Sequence, residues 1–456
     1  MKPNDWKTMY FSSLSEELSP SLKVAQTLVG PYGLISRTMP LENSNGDPAF
    51  SIYSSILGNP SKSLKNLKNW LHTASSGNFD GAGGAIDPKL AEAISIVESI
   101  ERYSSCAWDD NELTWATESE LGDKAISLDR WPKCSQIELS NPKCNNALPD
   151  TRIPLRWVKA WSLTQKKEVF VPAFLVYLNF PTFSQSEMFS NPVSTGTAAH
   201  SSLRSAVLSG LEEVIERDSI SLTWLQRLSH PRIHFDVNSL RPEVAEYIRV
   251  GNAYGITTHI FDATSDFEIP VLYAVQTSEH NSELAQVVAA TCGFDPQQSL
   301  AKLFRELASL RIALRMYKEL PPKRRANDEA ISVIGGAIEN GQLTNRTRFD
   351  FLLNTTNHTH SLDDIAPNLN GIDPLDWAVD KLKERGAECI VVDLTTDEAI
   401  QAGYRVVKVL VPEAMPLSFS HYSRYLAHPR LYDAPLAMGH PVHPESEINP
   451  NIQPFA

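Results

Sequence analysis

Apolar positions recur at helical spacing in three long stretches of this chain and form short uninterrupted runs elsewhere. Ala85–Trp108 places Ile94, Ile96, Val97 and Ile100 around its charged residues, and Ser201–Leu228 places Leu211, Val214 and Ile215 in the same way. Both patterns predict long helices that are apolar on several sides and therefore largely buried. Asp87-Pro88 supplies an N-cap followed by proline at the first helical position. A third helix is expected to open at Asp295-Pro296 and to reach about Leu320, and a charged one to span Trp377–Arg385. Leu155–Trp161, Glu168–Leu178, Cys389–Leu394 and Arg405–Pro412 read as strands. Helices and strands alternate, so the predicted class is α+β.

Breaker residues divide this pattern. Up to about residue 75 the chain is punctuated by Pro20, Pro31, Pro40 and Pro48 with Gly30, Gly33 and Gly46, which argues against a helical bundle there. Residues 321–375 are the least patterned interior region and are expected to form a surface insertion or a partner-docking arm. The expected organisation is an N-terminal segment 1–75, a core 76–320, this arm 321–375, and a C-terminal α/β part 376–456 with a proline-containing tail. The basic run Lys323-Arg324-Arg325 in the arm reads as a solvated helix end.

Charge and composition narrow the function classes. The 456 residues carry a net charge of −13, which argues against nucleic-acid binding because that affinity rests on Lys and Arg neutralising phosphates. Cys106, Cys134, Cys144, Cys292 and Cys389 form no CxxC pair and no zinc-like spacing, and read as reduced thiols. Cys292 beside Gly293 reads as a small buried thiol rather than a nucleophile. No signal-peptide pattern and no membrane-length apolar run is found, so a cytoplasmic location is expected. The phosphate-loop motif is absent, and Gly81, Gly83 and Gly84 do not complete a dinucleotide fingerprint; they are expected to make a tight turn or to let the backbone approach phosphate. His200 reads as a local substitution rather than a general base.

The sharpest chemical signal is a short word written twice, Ser95xxGlu98xxGlu101Arg102 and Glu213xxGlu216Arg217. Residues three and four apart are neighbours on a helix, so each pair of glutamates can converge on one point beside an arginine. A single such word most often marks a solvated helix face with local ion pairs. Here the apolar flanks would bury the carboxylates, and a buried carboxylate requires a cation. A hard divalent ion such as Mg2+, held by a few carboxylates plus phosphates, would satisfy that demand.

The surrounding blocks carry a resemblance over most of the chain. Gly81-Ala-Gly-Gly-Ala-Ile-Asp87-Pro88 precedes the first word, Ser194-Thr195-Gly196 precedes the second, and Gly293-Phe-Asp295-Pro296 with Leu300, Lys302, Glu306 and Arg311 follows. The ordered trio resembles the YcaO superfamily, closest to the docking-type, streptolysin-S D-protein-like cyclodehydratase subunits of thiazole/oxazole-modified peptide pathways. The resemblance implies two related α/β halves around a central ATP/Mg2+ site. It implies phosphorylation of a backbone amide oxygen of a ribosomal precursor peptide, so that Cys, Ser or Thr side chains close to azolines with release of ADP and phosphate. Carried over, Glu98, Glu101, Glu213, Glu216 and Glu306 would hold magnesium. Arg102, Arg217, Lys302 and Arg311 would meet phosphate, and Ser95, Ser194 and Ser201 would bond the nucleotide.

Departures from the family pattern accompany the matches. Ser201 and Ser205 stand where an Asn and an acidic residue are usual, Lys302 stands for Arg, and Ile452 and Ala456 stand for prolines of a tail that the family places near its active site. The resemblance further implies a leader-binding ThiF-like partner subunit, a flavin dehydrogenase, and a homodimer or hetero-oligomer. A YcaO that installs a thioamide and a non-catalytic precursor scaffold stay open as alternatives.

Overall fold

The computed structural model describes residues 22–57, 64, 80–319, 330, 334–354 and 358–456. Three sheets carry the fold. A three-stranded antiparallel sheet runs β1 (Arg37–Leu41), β2 (Ser51–Ile56), β3 (Gly81–Ala85). A second orders β4 (Thr114–Ala116), β5 (Leu155–Ser162), β13 (Ile390–Asp393), β14 (Arg405–Leu410) and β7 (Thr197–His200), with β6 (Lys167–Pro172) also on β5. A third orders β11 (Gln286–Cys292), β10 (Val271–Ser278), β9 (Ile256–Asp262), β8 (Arg232–His234) and β12 (Thr359–Ser361). The helices of eight residues or more are α1 (Pro88–Ser105), α2 (Leu203–Gln226), α3 (Pro242–Gly251), α4 (Pro296–Glu319), α5 (Pro374–Glu384) and α6 (Arg430–Ala437).

The middle layer explains why α2 is largely buried. Val207, Leu211, Val214 and Ile215 share one core with Val407 and Val409 of β14 and with Phe261, Tyr273 and Val275 of β9 and β10. This helix is therefore sandwiched between two sheets, which bury its apolar positions and leave Glu212, Glu213 and Arg217 half-buried. Ile96 and Ile100 of α1 meet Val406 on the opposite face of β14, and α3 and α4 cover the outer face of the third sheet.

Local chemistry sets the helix starts as the sequence predicts. Asp87 accepts from the Lys89 amide at 2.8 Å ahead of Pro88, and Asp295 accepts from Gln297 at 3.0 Å ahead of Pro296. Such caps satisfy amides that have no partner within the helix. Ser202 caps α2 by accepting from Ser205 at 3.1 Å.

Three expectations are corrected. The glycines at 81–84 do not make a turn: they are strand β3, laid flush on α1, where a Cβ at Gly81 or Gly83 would overlap the Ser95 or Ala91 carbonyl. Strand β6 stops at Pro172, and Ala173–Leu175 turn so that Phe174 and Val176 enter the core. The described part of 321–375 is no surface arm, since Phe349 and Leu352 are core residues and β12 extends the third sheet. Lys323-Arg324-Arg325 lies outside the described residues. The C-terminal stretch is likewise packed inward: Asn449 donates to Leu225 O at 2.9 Å, and Phe455 meets the Tyr273 ring edge-on at 5.3 Å. Among the described residues no helix is long and apolar enough to cross a membrane.

Candidate functional site

Each glutamate of the repeated word is held by a backbone amide at the start or end of a strand. On α1, Glu98 Oε2 accepts from the Ala82 amide of β3 at 2.8 Å, and its Oε1 meets Arg102 Nη2 at 2.9 Å. One turn on, Glu101 Oε1 accepts from the Ala199 amide of β7 at 2.8 Å. Burial pushes the Glu101 carboxyl up to about 8, against the help of that amide, and the neighbouring Glu98 and Glu213 charges push the same way. Burial alone would lower Arg102, but Glu98, Glu101 and Glu213 together hold it above its usual range.

The second word repeats the device on the far side of β7. Glu213 Oε2 accepts from the Gly196 amide at 2.9 Å and its Oε1 meets Arg217 Nη2 at 3.3 Å. Glu216, buried, accepts from the Cys292 amide at 3.3 Å and lies 3.4 Å from Arg217 Nη1 and 3.7 Å from Lys302 Nζ on α4. Burial raises Glu216 and Lys302 and Arg217 oppose that rise, with Glu213 and Glu306 adding to it. Glu306 pairs with Arg305 at 3.5 Å and contributes to the fields at Glu216, Arg217 and Lys302.

These contacts make one charged path over three helices, from Glu98 and Arg102 through Glu101 and Glu213 to Arg217, Glu216, Lys302 and Glu306. Among the described residues no three acidic, His or Cys side chains form a ready-made metal cage. Each carboxylate of the two words is instead held by its own backbone amide. That arrangement still fits Mg2+, which is commonly held by one or two carboxylates with water and substrate phosphate completing its octahedron. The donors are all oxygen, and Glu101 resists ionisation as it stands, so an added cation would relieve its strain.

The other predicted residues divide. Ser194 lies in the turn that precedes β7 and closes it with its carbonyl on the Thr197 amide at 2.8 Å, and Ser201 stands just before the α2 cap with its hydroxyl 3.1 Å from His200 Nδ1. Ser95 is buried under β3, its hydroxyl on Glu92 O at 2.7 Å, so it faces packing rather than the charged path. Arg311 is also a correction: its guanidinium is buried between α4 and β10, bonded to Gln276 Oε1 at 2.5 Å and Leu284 O at 3.0 Å. Five residues beyond Glu306 it lies on a different face of α4. Cys292 is buried, and burial holds its thiol well above the usual range, consistent with a packing role.

Two participants were missed by sequence reasoning. Glu212 is pushed up to about 7 by burial, with Lys302 opposing and Glu216 adding, which puts it beside the α2–α4 end of the path. Lys408 of β14 is 1% exposed and the Glu213 charge is felt at its ammonium. Glu212 was visible as the residue before Glu213, but its side was not; Lys408 had no local signal, because strand alternation cannot tell a sheet covered on both faces from one with a wet face. Ala456 and Pro454 line a small cavity with Leu310, one turn beyond Glu306 on α4, which brings the C-terminal stretch beside this end of the site.

A profile of the family described as YcaO cyclodehydratase, ATP- and Mg2+-binding, matches residues 82–415. An uncharacterised protein in the tfuA 3′ region of Rhizobium leguminosarum bv. trifolii is 31% identical over 254 residues, 51% of this chain and 54% of that protein. A heterocyclase solved in complex with substrate and cofactor is 22% identical with a TM-score of 0.74, over 95% of this chain and 57% of that one. The YcaO of Methanopyrus kandleri bound with AMPPCP and Mg2+ is 18% identical with a TM-score of 0.56, over 86% of this chain and 88% of that one. The chain thus spans little more than half the length of the first two of these proteins. It belongs to the YcaO cyclodehydratase family, whose members bind ATP and Mg2+.

Proposed function

We propose that this chain uses ATP to activate backbone amide oxygens in a ribosomally synthesised peptide, so that neighbouring Cys, Ser or Thr side chains close to azoline rings. The side chain attacks the preceding amide carbon, the amide oxygen takes the terminal phosphoryl group of ATP, and phosphate then leaves with that oxygen, giving ADP, phosphate and the ring. Phosphoryl transfer asks the protein for positioning and charge neutralisation more than for covalent help. The observation that carries the reading is the set of strand-held glutamates with their paired arginines and lysine over α1, α2 and α4.

In this reading Glu98, Glu101, Glu213, Glu216 and Glu306 hold Mg2+, directly or through water. Bound Mg2+ would supply neutralisation of phosphate charge. Arg102 and Arg217, each kept protonated by adjacent carboxylates, face the phosphates. Lys302 stabilises Glu216 and offers a point charge rather than a planar fork. Ser194 and Ser201 stand at the rim within the same turn and helix start. The precursor is delivered by a leader-binding partner subunit.

The test is incubation with ATP, Mg2+, a Cys/Ser/Thr-rich precursor peptide and its leader-binding partner, followed by peptide mass and ADP assay. Loss of one water per ring with matched ADP release is expected. Exchange of oxygen for sulfur would replace this reading with thioamide formation, and an unchanged peptide with no ADP would leave a scaffold.

A further inference from the structure

A fully buried lysine with no carboxylate in hydrogen-bond range among the described residues needs an explanation, because a lone ammonium is costly to take out of water. Lys408 sits in the centre of the second sheet, opposite Val392 of β13 on one side and Thr197 of β7 on the other. Its Nζ donates to Val193 O at 2.6 Å. Burial lowers it to about 8 and the Glu213 charge opposes that fall.

The carbonyl it holds begins the turn that serves the site. Val193 leads into Ser194, whose carbonyl accepts from Thr197 at 2.8 Å, and into Gly196, whose amide holds Glu213. The far end of the turn is fastened by the next residue of the same strand, since the Val409 amide donates to Gly196 O at 2.7 Å. Gly196 adopts φ +84°, and a Cβ there would overlap Val409 O, so the turn sits tightly on β14. The turn is therefore gripped at one end by a side chain and at the other by the backbone of adjacent residues.

We propose that Lys408 is a positioning residue of the nucleotide site: it clamps the 193–196 turn so that the Gly196 amide orients Glu213 and Ser194 stands beside it, while its charge balances the carboxylate line from beneath. The inference rests on the ATP/Mg2+ reading for its consequence but not for its geometry. Glu213 is oriented through Lys408 without Lys408 touching the nucleotide. An isosteric apolar residue would relax the turn and leave the sheet packed.

Two readouts on Lys408→Met separate the claims. Hydrogen exchange of the peptide covering Val193–Thr197 should quicken at least tenfold relative to wild type, with flanking β14 unchanged, and unchanged exchange would overturn the clamp whether or not nucleotide binds. In Mg2+·ATP titration the variant should bind about tenfold more weakly, Lys408→Arg should recover part of the loss, and adding Glu213→Gln should cost little more, as expected for coupled residues. Wild-type affinity in folded Lys408→Met, or additive losses in the double variant, would overturn the positioning role. If wild type itself binds no Mg2+·ATP, the nucleotide reading and the positioning role built on it both fail, while the exchange result still decides the clamp. Should Lys408→Met not fold, Lys408→Arg carries both measurements, with intermediate exchange and affinity expected and wild-type values in both overturning the claim.

Discussion

The two copies of the glutamate word share their letters and differ in what surrounds them. In the first, Glu98 has Arg102 at 2.9 Å and keeps 29% of its side chain exposed, while Glu101 has an amide and, among the described residues, no cation in ion-pair range. In the second, the deeper Glu216 keeps only 6% exposure but sits 3.4 Å from Arg217 and 3.7 Å from Lys302. The difference shows that local sequence places carboxylates while tertiary neighbours decide which of them is neutralised. On the α2 side two cations flank the buried Glu216, and on the α1 side Arg102 pairs with Glu98.

Anchoring differs in the same sense, and this gives the largest expected effect. The residue after Arg217 is Asp218, fully buried and bonded to Arg430 of α6 at 2.6 Å through both carboxylate oxygens. Asp218→Ala would leave a buried guanidinium with Asp266 at 3.0 Å and the Ser265 hydroxyl at 3.3 Å, and should destabilise the fold by about 3–5 kcal/mol, read by denaturant unfolding. A loss below ~1 kcal/mol would remove the anchoring asymmetry between the copies.

The ionisation contrast is sharpened by pH. Because the folded-state carboxyl of Glu101 is raised to about 8, the folded protein keeps a proton that the unfolded chain releases above about 4.5. Folded protein thus binds more protons over that window, and stability without metal falls as pH rises through it. Glu101→Gln cannot ionise and should lose less stability between pH 5 and pH 8 than wild type. The gap should be ~1 kcal/mol or more at pH 8, a shift of roughly 2–4 °C in Tm for each kcal/mol in a chain of this size. Parallel pH profiles would mean that Glu101 ionises freely. The smallest effect belongs to the first copy's counterpart of Asp218, Tyr103, whose hydroxyl donates to Glu398 at 3.2 Å: Tyr103→Phe should cost about 0.5–1.5 kcal/mol.

Much of this site was legible because its carriers are long helices with strong starts. Asp87-Pro88, Asp295-Pro296 and the apolar flanks of both words located α1, α2 and α4 to within a few residues. Strands 271–278 and 286–292 were not read, because a continuous apolar run buried on both faces has no alternation to separate it from a core helix. The role of Gly81–Ala85 was misread since a glycine run signals a turn locally, whereas here it permits a helix to lie against a strand. Glu212, Lys408 and the inward side of Arg311 depend on which sheet covers which face, and no window of sequence carries that. The described stretch around Phe349 and Leu352 looked unpatterned because its elements are only four to seven residues long.

The central claim is that α1 and α2 contribute to one nucleotide site. Calorimetric titration with Mg2+·ATP of wild type, Glu98→Gln and Glu216→Gln tests it most directly, since each change keeps size and removes one charge. The account predicts metal-dependent binding by wild type that falls at least tenfold in either variant, one from each helix. Binding lost in one variant and untouched in the other would confine the site to a single helix and contradict it, as would wild-type protein that binds no Mg2+·ATP with its partner present.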